Sequence, residues 1–323
     1  MRRETEVAFQ AVREAASLCM SVSAHTPAAS DVVQKEDASP VTIADFGSQA
    51  LVCRRLGQAF PEDGIVAEED AAVLREKTAA PARARLLRAV QEQYAGTTMD
   101  DVLRWIDLGA GHGHDHRYWT LDPIDGTKGY IRGGQYVVAL ALIADGEVEI
   151  GALACPNLTL PGMTSPGVIV TAEKGGGAWS WSLQEATSLG KLHVSKEKKN
   201  PGMRFCESVE SAHSAHGRSA RIAADVGIGG APVRMDSQAK YAAVAAGMAE
   251  IYLRLPVSVS YVENIWDHAA GCLIVEEAGG RVTDMHGQRL DFSRGAKLSA
   301  NEGIVASHGI VHDRLIQSIQ THS

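Results

Sequence analysis

Cysteine provides no scaffold in this chain. Only five occur, Cys19, Cys53, Cys155, Cys206 and Cys272. The number is odd and no Cys-x-x-Cys spacing appears, so neither a disulfide framework nor a zinc knuckle is indicated. They read as small buried hydrophobes in a reducing compartment. No run of about 18 apolar residues exists, which excludes a membrane-spanning helix. Positive charge is in deficit: 31 Lys and Arg stand against 39 Asp and Glu, a net charge of −8. That balance argues against nucleic-acid binding through a basic face, yet it leaves room for a small anion held by local cations. No signal-peptide pattern precedes the first helical stretch, so a cytoplasmic location is expected, or an organellar one if a transit peptide has been removed.

What is present describes an ordinary globular protein, 45% hydrophobic and 22% charged. A length of 323 residues is long for one core, and two domains are expected. Apolar residues at helical spacing predict a helix over 4–22. Thr42 is a plausible N-cap for a second helix over 43–59. A short strand from Gly64 ends in Glu68-Glu69. Residues 71–117 read as an insertion with two short helices near 80–94 and 99–107. Strands follow over 135–143 and 148–154, joined by an Asp145-Gly146 turn, and a hairpin over 167–182 turns at Lys174-Gly-Gly-Gly177. Further on, strands are expected near 204–208, 250–253, 281–283 and 303–306. Helices are expected over 215–224, 237–248, 264–277 and 310–320. No internal repeat is visible.

The densest chemistry lies in Asp122-Pro-Ile-Asp-Gly-Thr127. Pro123 stiffens the backbone, Gly126 permits a tight turn, and Thr127 puts a hydroxyl just beyond it. Two carboxylates three residues apart suit a hard divalent cation such as Mg2+, which takes oxygen ligands and keeps positions open for phosphate. Glu68 follows a strand end, where a solvated acidic turn is the simpler reading. Asp45 and Asp267 each fall where a helix begins, where an acid complements the helix dipole without further purpose. The Gly-rich stretch at 175–177 lacks a P-loop ending, and the His112-Gly-His-Asp-His116 tract reads as a surface loop.

Taken together, these clusters resemble a known family. Asp122-Pro-Ile-Asp-Gly-Thr127, the upstream Glu68-Glu69 pair and Trp266-Asp-His-Ala-Ala-Gly271 are similar to the lithium-sensitive, Mg2+-dependent phosphatases of the inositol monophosphatase superfamily. The resemblance covers nearly the whole chain apart from 71–117. Finer stretches choose a branch: DGTKGYIRGGQY at 125–136, SVESAHSAH at 208–216, DSQAKY at 236–241, YLRLP at 252–256 and ENIWDHAAG at 263–271 look like the 3′(2′),5′-bisphosphate nucleotidases. Lys128-Gly129 stands where simple inositol monophosphatases usually have Thr-Asn.

The resemblance implies a layered αβαβα sandwich, with an N-terminal α+β domain over 1–155 and a C-terminal α/β domain over 156–323. It implies hydrolysis of adenosine 3′,5′-bisphosphate to AMP, with 3′-phosphoadenylyl sulfate as a further substrate. Two to three Mg2+ would be held by Glu68, Asp122, Asp125, Asp267 and the carbonyl of Ile124. Thr127 would orient the attacking water, with Asp45 behind it as base. His213, Ser237, Lys240 and Arg254, together with Thr127 and Asp267, would hold the nucleotide. Ser237 and Lys240 are expected to share one face of the helix over 237–248. The partner is a small nucleotide bisphosphate, with no nucleic acid and no membrane, and the protein is expected to be a monomer. Two rival activities are an inositol polyphosphate 1-phosphatase and a non-catalytic sensor of the bisphosphate nucleotide.

Overall fold

The computed structural model describes residues 1–24, 32–34, 40–197, 202–209, 216–256 and 261–322. The chain enters through α1 (Arg3–Ala24), a ladder of β1 (Val32–Gln34) with β2 (Pro40–Thr42), and α2 (Ile43–Ala59). After β3 (Gly64–Ala67) come α3 (Ala72–Arg75), α4 (Ala80–Gln93) and α5 (Met99–Asp107). Next are β4 (Arg117–Asp125), α6 (Thr127–Ile131), β5 (Val137–Ala144) and β6 (Glu147–Cys155), then β7 (Val168–Glu173), β8 (Gly177–Ser182) and β9 (Ser188–Lys191). The last part holds β10 (Phe205–Glu207), α7 (His216–Val226), β11 (Val233–Arg234), α8 (Ala239–Ala245) and β12 (Ile251–Arg254). It closes with α9 (Ala269–Glu277), β13 (Arg281–Thr283), β14 (Ile304–Ser307) and α10 (His312–Thr321).

Strands β3 to β9 form one sheet in chain order, with β3 parallel to β4 and the rest antiparallel. A second, mixed sheet has the order β11-β10-β12-β14-β13. On one face of the large sheet, Val12, Ala15, Ala16 and Cys19 of α1 pack with Trp119, Leu140 and Leu142. On its other face lie α8 and α9, whose far sides carry the second sheet. Ile222 of α7 and Leu315 and Ile319 of α10 close the outer face of that sheet. Helix, sheet, helix, sheet and helix layers follow one another, which is the αβαβα sandwich expected from the resemblance.

The sequence explains these placements. Strand β5, Val-Val-Ala-Leu-Ala-Leu-Ile-Ala, is apolar without alternation because helices cover both faces. Helix α9 is apolar all round from Ala269 to Val275 because that part lies between two sheets. Two glycines let it settle there. A Cβ on Gly151 would stand 2.7 Å from the Ala270 carbonyl oxygen, and one on Gly271 would stand 2.3 Å from the Tyr241 ring.

Several expectations shift against this frame. The large sheet continues past residue 155 through Lys191, and the change of sheet falls between Lys191 and Phe205. Helix α8 is shorter than the expected 237–248. Ser237 precedes it with a φ of +67°, so Ser237 and Lys240 do not share a helix face. The expected helix over 264–277 is broken: a 3-10 turn spans Ile265–Asp267, His268 leaves the helical conformation, and α9 starts at Ala269. Elements β9, β11 and α6 are short and lie outside the expected pattern. The stretch read as an insertion is packed, with Leu86, Val90, Val102 and Ile106 seated on Phe46, Ala50 and Leu51 of α2. His112, His114 and His116 lie exposed in the loop before β4. No helix among the described residues is long and apolar enough to cross a membrane.

Candidate active site

Residues three apart on a regular strand point to opposite faces. At the end of β4 the register breaks: Asp122 pairs with Ala139 and Asp125 with Val137, so three steps on one strand match two on the other. This bulge turns both carboxylates toward one site. Ile124 N–H donates to Asp122 Oδ1 at 3.1 Å, and Ser48 Oγ donates to the Pro123 carbonyl at 2.8 Å, fixing the turn from beneath. Gly126 then takes a φ of +89°, which a residue with a Cβ rarely adopts, and α6 begins at Thr127.

Thr127 Oγ lies 3.3 Å from Asp45 Oδ1 and 3.1 Å from the Ile124 carbonyl. Its single proton serves one of these acceptors at a time. Asp45 is fully buried, and its other oxygen accepts from Thr42 N–H at 2.8 Å and Thr42 Oγ at 2.6 Å. Ala44 N–H in turn donates to Thr42 Oγ at 3.1 Å. The carboxylate therefore caps α2 with one oxygen and faces Thr127 with the other.

Glu68 follows directly on β3, which pairs in parallel with β4 so that Ala67 stands beside Leu121. Its N–H donates to the Leu121 carbonyl at 3.2 Å, which brings the residue alongside Asp122. Gln49 of α2 anchors the next residue, donating to the Glu69 carbonyl at 2.5 Å and accepting from Glu69 N–H at 3.0 Å. Oxygens of Asp122, Asp125 and Asp267 all lie within 4.8 Å of one another. Glu68 stands outside that tight group, but its charge reaches Asp122.

The electrostatics follow from crowding. Burial pushes the Asp122 carboxyl well above its ordinary range, and Glu68, Asp125, Asp267 and Asp45 push it further. Burial and then Asp267 push Asp125 up to about 6, against Lys240, the Gln238 N–H and Arg254, which hold it down. Four mutually repelling carboxylates, from the residue after β3, from β4 and from the turn before α9, with only oxygen donors among them, fit a hard divalent cation.

On the opposite wall, Gln238 N–H donates to Asp125 Oδ2 at 2.6 Å. The Gln238 side chain donates to the Trp266 carbonyl at 2.8 Å and accepts from Gly271 N–H at 3.1 Å. Lys240 is buried beneath the Tyr252 ring, 5.1 Å from its centroid, and donates to the Ser237 carbonyl at 2.8 Å. Burial pulls its ammonium down, and Asp125 draws it back up. Arg254 Nε donates to Glu263 Oε1 at 2.8 Å, and its Nη2 stands 3.9 Å from Asp267 Oδ2. Arg132, just past α6, reaches across to Asp236 at 2.6 Å. Gly129 lies against the same segment, where a Cβ would stand 2.2 Å from the Gln135 carbonyl and 3.0 Å from Asp236.

The structure thus brings Asp45, Asp122, Ile124, Asp125, Thr127 and Asp267 to one site, sets Glu68 beside it, and lines the facing wall with Ser237, Lys240 and Arg254. His213 lies outside the described residues. Sequence reasoning passed over Gln238, Glu263, His268 and the Arg132–Asp236 pair. Gln238 carries no charge to single it out and was visible only as a member of Asp236-Ser-Gln-Ala-Lys-Tyr241. Glu263 and His268 lay within the quoted 263–271 stretch, but nothing in their spacing marked them as partners.

A five-layer α/β sandwich with carboxylates converging from two strand ends and an interrupted helix defines the class of protein. All of residues 1–323 match the inositol monophosphatase family model, and the chain belongs to that family. It is 43% identical to a protein of Emericella nidulans named 3′(2′),5′-bisphosphate nucleotidase, over 98% of this chain and 97% of the relative. A protein of the same name from Schizosaccharomyces pombe is 41% identical, over 98% of this chain and 94% of the relative. Among solved structures, an IMPase of Thermotoga maritima superposes with a TM-score of 0.69 at 21% identity, covering 99% of this chain and 98% of that one. The inositol monophosphatase of Anabaena (Nostoc) sp. PCC 7120 gives 0.62 at 19% identity, covering 98% and 94%.

Proposed function

We propose that the protein is a divalent-cation-dependent 3′(2′),5′-bisphosphate nucleotidase that hydrolyses adenosine 3′,5′-bisphosphate to AMP and phosphate. The observation that carries the reading is the convergence of Asp122, Asp125 and Asp267 beside a Thr127 hydroxyl backed by Asp45. The choice of a nucleotide substrate is supported by the full-length relatives that bear this name. 3′-Phosphoadenylyl sulfate is a further proposed substrate.

Glu68, Asp122, Asp125, Asp267 and the Ile124 carbonyl would hold two to three Mg2+. When bound, these cations neutralise phosphate oxygens and lower the pKa of the attacking water. Thr127 donates its proton to Asp45, which leaves an Oγ lone pair to accept from the water and aim it. Asp45, buried and held on its far oxygen by Thr42, is the base behind that hydroxyl. Lys240 and Arg254 supply the two cations that bind the 5′-phosphate, so an acidic protein accepts a polyanion through local charge. His213 and Ser237 complete the proposed nucleotide contacts. Lithium inhibition is expected from the shared carboxylate set.

Phosphate release from adenosine 3′,5′-bisphosphate in the presence of Mg2+ tests the reading. The wild type should release phosphate, and Asp125→Ala should not. Binding of the nucleotide by wild type without release would replace the reading with that of a sensor.

A further inference from the structure

Glu263 has no part in the reaction above, yet it is buried with both carboxylate oxygens engaged. Oε1 accepts from Arg254 Nε at 2.8 Å, and Oε2 stands 3.1 Å from His268 Nε2. The other ring nitrogen of His268 lies 2.8 Å from the Tyr241 hydroxyl. His268 and Tyr241 are both fully buried, and the Tyr241 ring packs edge-on to Tyr252, with centroids 5.0 Å apart. Four groups from α8, the interrupted helix, the 261–264 segment and β12 thus form one linear chain that runs from Tyr241 to Arg254.

Glu263, Asp267 and His268 also lie close enough to suggest a second cation site. The guanidinium of Arg254 takes that place, bonded to Glu263 and 3.9 Å from Asp267. A positive side chain bound to the same oxygens argues against a cation there.

Arg254 needs such an anchor for two reasons. A long side chain loses rotamer freedom when it binds phosphate, and a guanidinium already fixed through Nε loses less. Arg254 also sits beside Asp267. Without the Glu263 carboxylate, its strongest remaining partner would be that metal-site carboxylate. Tyr261 Oη, 3.1 Å from Nη2, is neutral and cannot take the place of Glu263.

We propose that Glu263, backed by His268 and Tyr241, is a positioning residue that holds the Arg254 guanidinium for the phosphate that is not cleaved. In this way it sets the preference for bisphosphate over monophosphate nucleotides. This inference rests on Arg254 as the ligand of the 5′-phosphate, as proposed above.

The test compares kcat/KM for adenosine 3′,5′-bisphosphate and adenosine 3′-monophosphate in the wild type, Arg254→Ala, Glu263→Gln and the double variant. The ratio of the two values isolates the 5′-phosphate contribution. Glu263→Gln should lower that ratio about tenfold, mainly through KM for the bisphosphate, as expected for loss of a charged partner. The double variant should fall no further than Arg254→Ala alone, because both act through one group. An unchanged ratio in Arg254→Ala would remove the reading of Arg254, and this inference with it. A lowered ratio in Arg254→Ala with an unchanged ratio in Glu263→Gln would overturn the role of Glu263 alone. So would an equal loss on both substrates, which is what a merely structural role gives. If Glu263→Gln does not fold, Tyr241→Phe carries the test, since it removes only the far hydroxyl. It should lower the same ratio in the same direction, and an unchanged ratio or an equal loss on both substrates would overturn the proposal.

Discussion

Thr127 Oγ lies 3.3 Å from one oxygen of Asp45 while the other oxygen of that carboxylate caps α2 at Thr42. One side chain therefore ties the start of a helix to the site. Thr127→Ala removes the hydroxyl without touching the cap. It should lower kcat by roughly 10²–10⁴-fold, the usual range for loss of a proton-transfer group, at nearly unchanged stability. Asp45→Asn should lower kcat similarly and also weaken the cap, by about 1 kcal/mol. Turnover together with thermal unfolding of both variants checks this. A Thr127→Ala enzyme within twofold of wild type would remove the hydroxyl from the account.

Much of this arrangement was legible in the sequence. Thr42 and α2 were readable because a capping residue followed by an apolar stretch is a local signal. The carboxylates were readable because the turn Asp122-Pro-Ile-Asp-Gly-Thr127 carries its own geometry. Three things were not. The split between the Ile265–Asp267 turn and α9 falls at His268, whose buried ring meets Glu263 and Tyr241, and the Tyr241 contact is a tertiary one. The positive φ of Ser237 arises where the 235–238 segment meets Gly126 and Asp125, from a distant part of the chain. The two side-chain partners of Glu263, Arg254 of β12 and His268 at the break before α9, are set by the tertiary fold, and no spacing along the chain marks them as a pair.

Gly271 tests the packing of α9. A Cβ there would stand 2.3 Å from Tyr241 Cδ2, and the buried Tyr241 ring is held by its edge-on contact with Tyr252 and its hydroxyl contact with His268. Gly271→Ala should destabilise the fold by about 1–3 kcal/mol despite the better helix propensity of alanine. Denaturant unfolding measures it. A more stable variant would show that the ring yields freely.

His312 gives a pH dependence of stability. Burial, and then Arg281, pulls its imidazole from 6.5 down to about 4. Thr283 Oγ, which donates to the Asp284 carbonyl at 2.8 Å, accepts from Nε2 at 2.9 Å, while Ser307 Oγ donates to Nδ1 at 2.9 Å. The neutral ring satisfies both hydroxyls. Between pH 4 and 6.5 the unfolded chain binds the proton that the folded one refuses, so stability rises with pH across that window. The contribution is complete above the unfolded pKa and is lost as the solution is acidified, by roughly 3 kcal/mol in full. His312→Gln should remove this contribution, so the stability advantage of wild type over the variant should grow with pH across that window, and parallel unfolding measurements check it.

The crowded carboxylates give a second, opposite dependence in the cation-free protein. Asp125, raised to about 6, holds a proton in the folded state at a pH where the unfolded chain has lost it. This site therefore loses stability as pH rises from the unfolded value through 6. A cation must displace that proton. Mg2+ binding should release more protons at pH 6 than at pH 8, and affinity should fall below pH 6. Calorimetric titration in buffers of different ionisation heat reads the proton count. Equal release at both pH values would contradict the crowded site.

The most direct test of the account is kcat/KM for adenosine 3′,5′-bisphosphate against inositol 1,4-bisphosphate under the same Mg2+ concentration. The account predicts a clear preference for the nucleotide. A clear preference for the inositol phosphate would contradict it and make the chain an inositol polyphosphate 1-phosphatase.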